Sequence, residues 1–122
     1  MNEGIELHDS ELAAVEFRDG SVLISLSPAY IHRDGSGWLQ DATVTIRGAT
    51  STPSIADLPA PIWQGSLRIG DTCHSNLIPL TGTFEGLVRL SITLVRGDAF
   101  TIEGDHASIE LHGQPRFLEK VP

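Results

Sequence analysis

Apolar and polar residues alternate with period two along most of this chain, the pattern of strands with one buried face. Between residues 87 and 95, Val88, Leu90, Ile92 and Leu94 fall on one side and Arg89, Ser91 and Thr93 on the other. Val22, Ile24 and Leu26 repeat the pattern, as do Ala42, Val44 and Ile46 set against Thr43, Thr45 and Arg47. Phe100 and Ile102, then Ala107, Ile109 and Leu111, carry it towards the C-terminus. Helical spacing is nearly absent. The expectation is an all-β chain.

Turn chemistry separates the runs. Asp19-Gly20, Asp34-Gly35-Ser36-Gly37, Gly70-Asp71, Gly97-Asp98 and Gly104-Asp105 each predict a reversal, because Asp and Gly tolerate the positive φ of tight hairpins. Short connections favour antiparallel pairing in chain order, a meander, over crossovers. Eight or nine such strands with one apolar face are expected to close into a barrel or fold into a two-layer sandwich, as one domain over residues 1–122. Segment 49–63 breaks the rhythm with Pro53, Pro59 and Pro61. There Ser54 is placed to cap one helical turn through Leu58, which Pro59 would end. Ile55, Leu58, Ile62 and Trp63 suit the segment to covering an open end of the core.

Composition narrows the function classes. The chain has 122 residues, enough to bury a core without disulfides. Its net charge of −8 argues against nucleic acid, whose phosphates need clustered cations. No run approaches the ~18 apolar residues of a membrane-spanning helix, so no membrane partner is expected. The opening Met1-Asn2-Glu3-Gly4 is acidic and leads into no long apolar stretch. It reads as cytoplasmic. Cys73 is the single cysteine, which excludes an internal disulfide and a Cys-rich zinc site, and is read as a small buried thiol.

One repeated tetrapeptide carries candidate chemistry. Ile-Glu-Leu-His occurs at residues 5–8 and again at 109–112. In a strand, Glu6 with His8 and Glu110 with His112 would each share the outward face, ~6.6 Å apart along the chain. If the two terminal strands paired, these four residues would offer zinc or iron a mixed carboxylate–imidazole site, the one cofactor the residues suggest. The metal would then polarise water or a carbonyl, with a carboxylate as base. Otherwise they are ordinary solvated faces.

Other constellations are weaker. Cys73 and His74 are neighbours and in a strand point to opposite faces, so they do not form a nucleophile pair. Arg96-Gly97-Asp98 is an adhesion tripeptide in spelling, and a hairpin turn accounts for it. Arg47, Arg68 and Arg89 are placed to pair with carboxylates across strands. Tyr30, His32, Trp38 and Trp63 flank the least regular stretches and would line a rim site for an organic ligand if segment 49–63 folded over that end.

The run 5–12, the Asp19-Gly20 hairpin, the stretch Asn76-Leu77-Ile78-Pro79-Leu80, Phe84-Glu85-Gly86 and the closing Gly104-Asp105 together suggest a likeness. In these features the chain resembles a family of small uncharacterised bacterial all-β proteins. The resemblance implies a meandering β domain and assigns no catalytic or binding residue. With no assembled catalytic motif and open sheet edges to cover, the residues point to a non-enzymatic binding module, its partner another protein or its own copy as a homodimer. The alternatives are a small-molecule carrier with its ligand inside the barrel, and a metal-dependent enzyme on the Glu-His strands.

Overall fold

The computed structural model describes residues 3–50 and 53–120. Nine antiparallel strands form one sheet: β1 (Gly4–Glu6), β2 (Glu11–Arg18), β3 (Ser21–Arg33), β4 (Ser36–Arg47), β5 (Ala60–Ile69), β6 (Thr72–Ser75), β7 (Leu77–Ile78), β8 (Gly82–Leu94) and β9 (Ala99–Lys120). Six of them close a ring in the order β2-β5-β8-β9-β4-β3, with β3 returning to β2. This geometry fits a barrel or a sandwich equally. The all-antiparallel expectation holds, and the count agrees. Among the described residues, no helix is long and apolar enough to cross a membrane.

Neighbours in sequence pair where an Asp-Gly turn joins them. Asp19 and Gly20 both take positive φ (52° and 78°) between β2 and β3, and Asp34 and Gly35 (54° and 71°) do so between β3 and β4. Two left-handed residues in succession match the twist of the flanking strands. β5–β6 and β8–β9 also pair in chain order, and elsewhere chain order gives way. β4 finds β9 rather than β5, while β5 lies between β2 and β8. A strict meander would pair β4 with β5; in the ring those two edges are instead taken by β9 and by β2 and β8.

Two local expectations are corrected. Gly104-Asp105 makes no reversal, because β9 runs unbroken from Ala99 to Lys120. Gly104 is there for closeness: a Cβ at this position would collide with the Arg47 carbonyl of β4. Segment 53–59 forms no helical turn and has only bends at Asp57 and Pro59. It still covers the core, since Ile55 and Leu58 pack against the buried cluster. Arg96 holds it in place by donating to the carbonyls of Ala56 (2.6 Å) and Asp57 (3.0 Å) and to Asp98 (3.0 Å). The arginine of the adhesion-like tripeptide is therefore engaged in the fold.

The core is one mainly aliphatic cluster. Val22, Ile24 and Leu26 face Ala42, Val44 and Ile46 across β3–β4, and Leu67, Leu90 and Ile102 form a row across β5–β8–β9. The inward positions of the ring are thus filled by side chains. Arg96→Ala removes two charge-assisted hydrogen bonds to the loop and a third to Asp98. A loss of about 1–3 kcal/mol is expected, read as a lower thermal midpoint, with new protease cleavage between residues 53 and 59.

Candidate functional site

β5 has an incomplete edge, and a polar groove forms there. β2 covers only Ala60 and Pro61, and β6 covers only Ser66 to Ile69. Residues 62–65 therefore face a gap whose backbone groups need partners. A short 3₁₀ turn, Leu7–Asp9, and Asn76 fill it. Ser10 O accepts from Ile62 N at 3.0 Å, and Asn76 N donates to Gly65 O at 2.8 Å. His8 Nδ1 lies 2.6 Å from Trp63 O. A carbonyl only accepts, so Nδ1 carries the proton and Nε2 is left as an acceptor in the neutral ring. Asn76 Oδ1 in turn accepts from His8 N at 2.9 Å.

A bulge in the same stretch places two neighbouring side chains on the outer surface. The register of β5 against β8 slips between Ile62 and Gln64, so Ile62 stays buried while Trp63 joins Gln64 on the outer surface. Bulges of this kind redirect one side chain without breaking the sheet. Trp63 is 54% exposed, and the His8 ring meets its indole edge-on at 5.3 Å between centroids. His8, Trp63, Gln64, Ser66, Ser75 and Asn76 line a groove of about 420 Å³ floored by Gly65.

A second polar cluster lies on the outer face of β1, β3, β4 and β9, and it is closed. Glu6 sits opposite Tyr30, His32 opposite Gly37, and Gly37 opposite Glu119. Directly paired residues share a face. His32 Nε2 meets Glu6 Oε2 at 2.6 Å, and the Tyr30 hydroxyl donates to Glu119 Oε2 at 3.1 Å. Tyr30 lies across Gly37, where any Cβ would collide with its hydroxyl. Buried Ser10 donates to Glu6 O and accepts from Tyr30 N, tying the 3₁₀ turn to β1 and β3. Burial first, then the Glu119 hydrogen bond and the charges of Glu119, Glu6 and Asp9, push the Tyr30 phenol from 10.0 to about 12.

The sequence-derived site residues separate among these places. Tyr30 and His32 stay together, but Trp38 pairs with Ile31 and so faces the core side of the same sheet, edge-on to Phe117 at 5.4 Å. Trp63 belongs to the groove on β5. The four metal candidates are likewise dispersed. β1 pairs with β3 and β7, whereas β9 pairs with β4 and β8. Following the register, Glu6 leads through Tyr30 and Leu39 to Arg116 on β9. Three strand spacings, ~14 Å, and several residues along β9 then separate Glu6 from Glu110 and His112. His8 lies on the 3₁₀ turn rather than on a strand, and His112 Nε2 contacts Thr43 Oγ1 at 2.9 Å. Among the described residues, no group of three or more His, Cys, Asp or Glu is placed to hold a metal ion.

Cys73 is exposed, not buried. Of the three arginines expected to pair across strands, Arg89 reaches Glu103 at 3.2 Å, while Arg68 donates to Gly70 O. No known protein family, curated protein or solved structure matches the chain.

Tyr30 is the single tyrosine, so tyrosinate absorbance reads it alone. Ionisation near pH 12 is expected, moving down towards 10 in Glu119→Gln. Below pH 10 the phenol is neutral in folded and unfolded chains alike, and its stabilising contribution is complete. Between 10 and about 12 the unfolded chain ionises first, so stability falls as pH rises. An alkaline unfolding series checks the sign.

Proposed function

We propose that this chain is a non-enzymatic binding module acting through an open strand edge, and that its partner there is a second copy of itself. The observation that carries the reading is the overhang of β9. Pairing with β8 ends at Ile109, whereas pairing with β4 continues to Lys120. Over residues 110–120 the edge away from β4 has no strand partner among the described residues. Unpaired N–H and C=O groups in such a row are a template for another strand.

Two features favour a like copy. Phe117 and Leu118 are half-exposed on this overhang and give it apolar area to bury. Residues 110–120 also carry two acidic and two basic side chains, Glu110 and Glu119 against Arg116 and Lys120, in a chain of net charge −8. Two copies can approach here without the repulsion that the rest of the acidic surface imposes. Pro115 withholds one donor and divides the edge, leaving the stretch with Phe117 and Leu118 as the pairing half. Surface recognition also accords with a ring interior filled by aliphatic side chains, which disfavours carriage inside the barrel.

Sedimentation over a concentration series tests the reading. A monomer–dimer equilibrium in the micromolar range is expected, weakened at least ~10-fold by Leu118→Lys, which places a charge on the edge. Monomer at every concentration, or a dimer indifferent to Leu118→Lys, overturns it.

A further inference from the structure

The groove on β5 supports an inference independent of self-association, because it involves other strands and other side chains. We propose that it is a binding site for a neutral carbohydrate, with one pyranose ring stacked on the indole of Trp63. The groove's structural duties are carried by backbone and imidazole: His8 bonds the main-chain carbonyl of residue 63, and Asn76 bonds that of residue 65. Neither bond uses the Trp63 side chain. A small residue at this position would satisfy the same gap, so the fold gives no reason for a large indole held outward with half its surface in water.

The chemistry around the indole defines the ligand. An exposed indole is an apolar platform with a negative π face, which attracts the weakly positive C–H groups on one side of a sugar ring. Gln64 and Asn76 are amides with both donor and acceptor atoms, Ser66 and Ser75 add hydroxyls, and His8 has Nε2 free as an acceptor in its neutral tautomer. This mixture matches the alternating donors and acceptors of sugar hydroxyls. The lining contains no Asp, Glu, Lys or Arg. With a net charge of −8 on the chain, an anionic ligand such as a nucleotide is repelled and a neutral one is not. The volume, about 420 Å³, lies in the range where small ligands bind.

The groove is also pre-formed. The bulge at Trp63, the His8 bond to its carbonyl and the edge contact between the two rings fix the indole on its strand. Little side-chain ordering is then required on binding, which suits a shallow site for a flexible, hydrated ligand.

Trp63 is one of two tryptophans, and Trp38→Phe isolates its fluorescence. Neutral oligosaccharides of glucose, xylose, mannose and N-acetylglucosamine, and adenosine as a stacking control, are titrated into this variant and into wild type. At least one oligosaccharide is expected to bind with millimolar or tighter affinity. Trp63→Ala should weaken it by more than ~10-fold, Trp63→Phe should restore part of the loss, and Gln64→Ala should weaken it several-fold. An unchanged Tyr30 ionisation in each variant shows that the fold is intact. No response from any oligosaccharide up to ~10 mM, adenosine binding in their place, or binding that survives Trp63→Ala overturns the proposal.

Discussion

A six-stranded ring closes only where its last two edges meet, and here they meet over two residue pairs, Glu11 with Pro61 and Leu12 with Ala60. Pro61 brings no donor to that seam. The bonds that extend it come from outside the ladder: Ser10 to Ile62, His8 to the Trp63 carbonyl, and Asn76 to the Gly65 carbonyl. Leu7, buried on the same 3₁₀ turn, lies over Gly65, where a Cβ would strike its side chain. One short turn thus satisfies the open backbone of β5, supplies apolar contact, and leaves a cleft beside itself. The groove follows from how the ring is sealed.

The two polar clusters differ in how far their side chains are already satisfied. Tyr30 and Glu119 hold each other, as do Glu6 and His32, and Ser10 both donates and accepts. Closed networks of this kind fix the relation of strands. Around Trp63 the anchoring bonds go to the backbone, and apart from Asn76 Oδ1, which accepts from His8 N, the lining amides and hydroxyls have no hydrogen bond among the described residues. A side chain with unused hydrogen-bonding capacity beside an exposed aromatic is suited to recognition, whereas one with none left is suited to structure.

Much of the fold was legible because its signals are local. The alternation at Val88, Leu90, Ile92 and Leu94, and the positive-φ pairs at Asp19-Gly20 and Asp34-Gly35, each depend on a handful of adjacent residues. Strand order was not legible, since pairing of β4 with β9 joins segments some sixty or more residues apart and leaves no trace in either alone. Gly104-Asp105 has the composition of a turn but answers to a neighbouring strand's backbone. The site residues Trp63 and His8 were visible as types, and His32 and Tyr30, two apart on one strand, share a face. A one-residue bulge put Gln64 on the outer surface beside Trp63, and a 3₁₀ turn removed His8 from the strand periodicity on which its pairing with Glu6 depended. Neither event has a signature in the spacing of apolar residues.

β9 is the last of the nine strands in chain order, and it alone bridges β4 to β8. During synthesis, β4 must wait with one edge bare until the segment from residue 99 onwards emerges, so the ring cannot close in step with translation. The hairpins of β2, β3 and β4 stand first as an unfinished sheet, and the strand that completes it arrives as a single piece. Ring closure therefore waits on β9, and until it arrives β4 presents one bare strand edge.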